Sequence, residues 1–367
     1  MRFADFQSAI RNPQFAMKTV MNNSGIYIYG IINSGTRELK GNGWNADAPV
    51  YLIPCQDLAA VVSDEEIVDL THLPKDLLAR RLVDHQRVIE GVMSLKHTII
   101  PVKLGTFAGN PSEVQEILAR GYKIVMEVFY TVRDKLELDV VVTWPDLASV
   151  LKAIGEEPDI REAKQKLLAN PRKITVEDQM RVGLMVKKAL DARREQIDLK
   201  IRSALSAISR GVRVHELMDD RMITNTAFLI EREAQAEFEQ CLDRLNTETG
   251  ETLHFRCVGP LPPYSFCTLE VRHLHFEDIE WARIKLGLPD HATKEEIKKA
   301  YQTQAVLVHP DKHPDSPGMA GAFDEVNRAY KTLVEYELAL DQGGGREECS
   351  FREPDVRRNG LLVKIRE

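Results

Sequence analysis

Gly259-Pro260-Leu261-Pro262-Pro263-Tyr264-Ser265-Phe266 is the stretch on which the reading of this chain turns. Three prolines within four positions fix φ and remove backbone donors. Gly259, Leu261 and Pro262 each precede a proline, which biases them away from the α region. The segment is expected to be a rigid extended connector, neither helix interior nor central strand. Tyr264 and Phe266 are placed to pin it onto a neighbouring surface. Ahead of it apolar strands and charged helices alternate. Behind it come a short strand and a purely helical unit carrying His309-Pro310-Asp311.

Working outward, the 367 residues have room for two or three domains, and 43% hydrophobic with 29% charged residues indicates globular protein. A net charge of −7, from 49 basic against 56 acidic residues, argues against dominant nucleic-acid binding. Five cysteines, odd in number and without CxxC spacing, read as reduced cytosolic thiols rather than a disulfide scaffold or zinc site. No apolar run approaches the roughly 20 residues that span a bilayer. Met1 to Lys18 has scattered charges and no apolar core, so a signal peptide is not expected there. Phe3, Phe6 and Ile10 at helical spacing leave residues 1–23 open between an amphipathic helix and a dispensable extension. An intracellular protein is expected.

Before the connector, Gly25 to Ile32, Val50 to Ile53 and Leu58 to Val62 read as strands. Pro74 to His97 is a helix with an apolar stripe, Thr98 to Leu104 is extended, and a second helix follows Asn110-Pro111. Glu137 to Trp144 is a near-continuous apolar strand suited to a central position. The order β-β-β-α-β-α-β predicts an α+β lobe over 24–144, most simply an elaborated ferredoxin-like sandwich. A helix-rich stretch opens the second lobe, 145–272. Thr175 caps its longest helix, Val176 to Arg210, which is either one rod of about 50 Å or two helices joined near Asp191. Further strands at Val212 to Glu216, Ile223 to Ile230 and Thr252 to Val258 surround a helix over Glu231 to Leu245.

Residues 273–342 read as a compact three-helix unit. Thr293 and Glu296 form a capping box for the second helix. Leu286-Gly287-Leu288, the run Lys294 to Tyr301, His309-Pro310-Asp311-Lys312 and the later Phe323 and Ala329-Tyr330 resemble a J-domain of the DnaJ type. The resemblance implies contact of His309, Pro310 and Asp311 with an Hsp70, aided by a basic face that keeps Lys298 and Lys299. Gln302, Thr303 and Leu307 stand where the family commonly has lysine or arginine, which leaves a docking module without Hsp70 stimulation as the other reading. The tail, 343–367, contains Leu361-Leu362-Val363-Lys364-Ile365, either an edge strand or a loose peptide.

Gly25 to Ile31, Asp57 to Ser63, His85 with Val88, Ile100 to Thr106 and the connector itself resemble the gas vesicle proteins L and F over residues 24–271. Gly259, Pro260, Pro262, Pro263, Tyr264 and Phe266 are the connector residues that carry this match. The resemblance implies a non-enzymatic accessory protein, cytoplasmic and associated with gas vesicles, without cofactor or membrane span. It would bind the hydrophobic major shell protein and other accessory proteins. The shell-protein contact is placed in the first lobe, at a patch that includes Tyr27 and Tyr29; ordinary packing also produces tyrosines at alternate strand positions. The alternative is a general Hsp70 co-chaperone with a broad client range.

Enzyme chemistry finds little footing. His273-x-His275 has the spacing of a metal pair on one strand face but no third ligand nearby. Asp64-Glu65-Glu66 reads as a solvated acidic turn. Walker A, GxGxxG and GxSxG patterns do not occur.

Overall fold

The computed structural model describes residues 24–33, 44, 48–169, 175–310, 318–345 and 348–366. The chain forms two compact units, one from its N-terminal part up to Thr131 together with Cys267–Glu367, the other from Val132–Phe266. The expectations placed on residues 1–23 and on Asp311 lie outside the described residues.

The first unit begins with β1 (Ser24–Asn33), whose eight interior residues are all buried, so both of its faces are covered. That is why its sequence runs apolar rather than alternating. β2 (Val50–Cys55) and β3 (Leu58–Glu66) form a hairpin turned at Gln56, which adopts a positive φ of 55°. Next come α1 (Lys75–Ser94), β4 (Ile99–Pro101), β5 (Phe107–Ala108) and α2 (Pro111–Val132). The sheet order is β2-β3-β1-β4, antiparallel throughout, with β5 also on β1. Val88, Ile89 and Val92 of α1 and Val114, Leu118 and Val125 of α2 are buried.

β6 (Lys135–Thr143) corrects one expectation. It does not close the first sheet but lies at the centre of another, in the second unit, between β8 (Met222–Glu231) and β9 (His254–Leu261), with β7 (Gly211–Val214) outside β8. A central position was legible in its apolar run, whereas its partner strands were not. α3 (Leu147–Gly155), α4 (Pro158–Leu168), α5 (Val176–Ser206) and α6 (Gln235–Thr249) supply the helices. They bury Leu138, Val140 and Val142 from one sheet face together with Ile154, Ile160, Ile201 and Phe238. The Phe228 and Phe238 rings meet at 5.4 Å, a geometry that adds about 0.5–1.5 kcal/mol beyond area burial. α5 is one uninterrupted helix of 31 residues, opened by the Thr175/Asp178 capping box, with no joint at Asp191.

After the connector the chain returns to the first unit. There β10 (Thr268–His273), α7 (Phe276–Leu286), β11 (His291–Thr293), α8 (Lys294–Leu307), α9 (Met319–Gln342), β12 (Glu348–Ser350), α10 (Glu353–Asn359) and β13 (Leu361–Arg366) follow one another. α7 stops at Gly287, φ 72°, where Leu288 N–H reaches Arg283 C=O and Gly287 N–H reaches Ile284 C=O. This is a Schellman stop, and glycine is the residue that adopts it without strain. Ile279, Ala282, Leu286, Ile297, Val326, Ala329 and Leu333 make the helical core. The 361–365 stretch is an edge strand: β13 pairs antiparallel with β10 from Thr268↔Arg366 to His273↔Leu361.

Candidate protein-interaction site

Three places were marked by the sequence, and the structure treats them differently. In the helical module, the Thr293 hydroxyl accepts from the Glu296 N–H while the Glu296 carboxylate accepts from the Thr293 N–H. The start of α8 is thereby fixed and its register decided. Ile297 and Tyr301 point to the core, where Tyr301 stacks on Tyr330 at 4.2 Å and donates to Asn327 Oδ1. The opposite face presents Lys298, Lys299, Gln302, Thr303, Val306 and Leu307 to solvent. Val306 is 53% and Leu307 58% exposed, so the face grades from cationic to apolar as it nears the motif. His309 and Pro310 follow the end of α8, and the His309 ring lies edge-on to Phe323 at 5.2 Å. α9 therefore positions the histidine.

The connector is only partly as expected. Its first residues, Gly259 to Leu261, still belong to β9, an edge strand, where proline is tolerated because one side of the ladder needs no donor. The Gly259-Pro260 peptide is cis. Two tight turns follow, Tyr264 N–H to Pro262 C=O and Phe266 N–H to Pro263 C=O. The Phe266 ring packs close to Gly211, and Arg213 lies over it at 5.9 Å. Pinning by Phe266 is thus observed.

The anchor that sequence reasoning missed is polar. Ser265 donates twice to Glu137, from its N–H to Oε2 at 2.8 Å and from Oγ to Oε1 at 2.7 Å, and meets His215 Nε2 at 3.0 Å. Glu137 is 1% exposed, on the β6 face away from the helical core. Burial, with the Asp139 charge on the same face, pushes its carboxyl up to about 8. Two acidic residues at alternate positions, Glu137 and Asp139, ahead of an apolar run were the available signal. The three side chains are not ordered as a hydrolase triad, in which the serine hydroxyl donates to the histidine: here it donates to the carboxylate.

Tyr27 and Tyr29 are a correction. They are 3% and 1% exposed, so neither offers a contact surface. The Tyr27 hydroxyl meets His85 Nδ1 at 2.8 Å and accepts from the Gly105 N–H. The Tyr29 hydroxyl meets Ser63 Oγ and donates to Glu65, which is also bridged by Arg81. Burial pushes the Tyr27 phenol up to about 12 and the His85 imidazole down to about 4, so the Tyr27–His85 pair is uncharged at neutral pH. Tyr27→Phe strands the buried His85 nitrogen and is expected to cost about 1–3 kcal/mol, read as a lower urea midpoint at unchanged slope. An unchanged midpoint would show that Tyr27 serves by bulk alone. Beside this cluster an open groove of about 480 Å³ is lined in part by Val68, Leu73, Leu77 and Arg80.

His273 ends β10 and His275 precedes α7, so the two do not share one strand; among the described residues no group of three or more His, Cys, Asp or Glu side chains that could hold a metal ion occurs. All five cysteines are free thiols.

Comparison with known proteins agrees with this geometry. The DnaJ domain matches residues 285–338, and 52 residues are 48% identical to Chaperone protein dnaJ 39 of Arabidopsis thaliana, 14% of this chain and 13% of that protein. Gas vesicle protein F of Microcystis aeruginosa is 25% identical over 201 residues, 54% of this chain and 82% of its own. The crystal structure of GvpF from Anabaena sp. PCC7120 superimposes with a TM-score of 0.57 at 25% identity, covering 66% of this chain and 98% of that one. Neither matched family is catalytic. Gas vesicle synthesis protein GvpL/GvpF matches residues 25–268, and the chain belongs to that family.

Proposed function

We propose that this chain is a non-enzymatic accessory factor of gas vesicle assembly whose body holds the hydrophobic major shell protein while its J-like module recruits an Hsp70. The observation that carries the reading is the pairing of a GvpL/GvpF body with a DnaJ segment in one chain, with His309-Pro310 at the foot of an exposed α8. Apolar shell subunits with open strand edges need a holder before they are inserted. The groove beside Val68, Leu73 and Leu77 supports a contact in the first lobe, with the buried Tyr27 and Tyr29 stiffening its wall rather than touching the partner. We read that lobe as ferredoxin-like, since an antiparallel 2-3-1-4 order with a helix between the third and fourth strands suits that fold. Other accessory proteins are expected partners, in the cytoplasm and on growing vesicles.

The test is ATP turnover by the host Hsp70, with and without shell protein, comparing the intact chain with His309→Gln. Stimulation by the intact chain and its loss in the variant is expected. The face of α8 favours one competing outcome. With Gln302, Thr303, Val306 and Leu307 exposed where cations would speed association, the module can dock without stimulating. Equal turnover with both proteins, alongside intact shell-protein binding, would establish that. Co-purification with many unrelated misfolded proteins would instead favour a general co-chaperone.

A further inference from the structure

Residues 339–366 lie outside both family matches, yet their described part is tied to several elements of the first unit. β12 pairs with β11 and β13 with β10. β10 in turn abuts the N-terminal sheet, where Lys103 N–H donates to Leu269 C=O at 2.8 Å. Lys103 Nζ also reaches Glu270 at 2.7 Å. On the α2 side, a Cβ at Gly121 would stand 2.8 Å from Val363 Cγ1, so the bare glycine lets β13 approach the helix.

At the centre of this joint sits Arg120 of α2, its side chain only 10% exposed. Its guanidinium donates to four backbone carbonyls of the C-terminal segment. Nη1 reaches Ala339 at 3.3 Å, Asn359 at 3.3 Å and Leu361 at 3.2 Å, and Nη2 reaches Arg358 at 3.1 Å. Glu116 holds the fork from behind through Nε at 2.9 Å. Ala339 lies in the last turn of α9, and Arg358 and Asn359 in that of α10. Carbonyls at helix C-termini are the negative ends of those helices, so the cation meets complementary charge. A planar fork with five donors serves several acceptors at once, which an ammonium on a flexible stem does not. Gln342 completes the joint by pairing its side-chain amide with both backbone groups of Val363.

We infer that the 348–366 segment is a docking element and Arg120 its latch, together fixing the His309-bearing module onto the N-terminal lobe. A chaperone bound at α8 is then held at a set place beside whatever that lobe carries. This functional consequence rests on the reading proposed above, while the latch stands on the joint itself.

Hydrogen exchange on the full chain tests the latch. In Arg120→Ala the amides of β13 and β10 are expected to exchange at least about tenfold faster, as loss of charge-assisted bonds implies. Arg120→Lys, which keeps the charge without the fork, should also lose protection there, while β1 and β3 remain protected in both variants. Unchanged protection of β13 in Arg120→Ala overturns the proposal. So does a loss spread evenly over β1 and β3, which would make Arg120 a general fold determinant. Hsp70 turnover read on the same variants separates the two ideas: the increment caused by shell protein should fall while the basal stimulation persists. If the intact chain never stimulates Hsp70 but β13 still responds to Arg120, the latch holds and the chaperone reading fails.

Discussion

Gly259→Val is expected to lower the stability of the 132–266 unit by about 3 kcal/mol or more, the sum of backbone strain and forced repacking. Gly259 has φ 147°, a conformation open to glycine and costly for any residue with a Cβ. A Cβ there would stand 2.8 Å from the Glu137 carbonyl oxygen and 2.6 Å from Leu138 Cδ2. The leucine tip can swing aside, but the carbonyl belongs to the central strand and cannot. Valine adds a second branch at the same carbon and so has fewer rotamers with which to escape. Gly259→Ala should show the same defect at smaller size. Denaturant titration measures the loss, and hydrogen exchange should assign it to β6 and β9. If both variants keep the wild-type midpoint, the positive φ is incidental and the glycine is there for some other reason.

That glycine shows how far the sequence could be read. The pattern Gly-Pro-x-Pro-Pro announced an extended backbone outside helix and central strand, and the caps at Thr175 and Thr293 announced helices, because each is a local matter of dihedrals and nearby hydrogen bonds. Strand partners are not local. β6 carried the apolar run of a central strand, and nothing within that run said which sheet it would enter. Burial of Tyr27 and Tyr29 had the same difficulty, since alternate tyrosines suit a wet face and a packed one equally until His85 and Ser63 arrive from elsewhere in the chain. The Arg120 joint was the least legible, for its acceptors are backbone carbonyls, and a carbonyl leaves no trace in sequence.

Raising the pH from 5 to 8 is expected to weaken the 132–266 unit, and Glu137→Gln to abolish that dependence. Desolvation is the larger cause of the raised Glu137 pKa, with the Asp139 charge adding to it; the two donors of Ser265 oppose both without prevailing. The folded unit thus keeps a proton on Glu137 that the unfolded chain releases near pH 4.5. Between there and about 8 the unfolded state binds fewer protons, so stability is fully present at the acid end and is lost as pH rises through the folded pKa. The loss is on the order of a few kcal/mol. Glutamine is nearly isosteric, keeps a carbonyl for Ser265 and offers N–H groups toward Asp139, so the variant should match the wild type near pH 5 and exceed it at pH 8. A wild-type stability that is flat or rising over that range would mean that the Ser265 donors hold Glu137 ionised after all. His85 gives an internal control of opposite sign in the other unit. Its pKa is pushed down to about 4, so its contribution is present above the ordinary 6.5 and is lost as pH falls through 4. Protection factors measured separately on β1 and β6, with the base catalysis of amide exchange divided out, should therefore move apart with pH, falling in acid for β1 and in base for β6. A general charge effect on the whole chain would move both in the same direction.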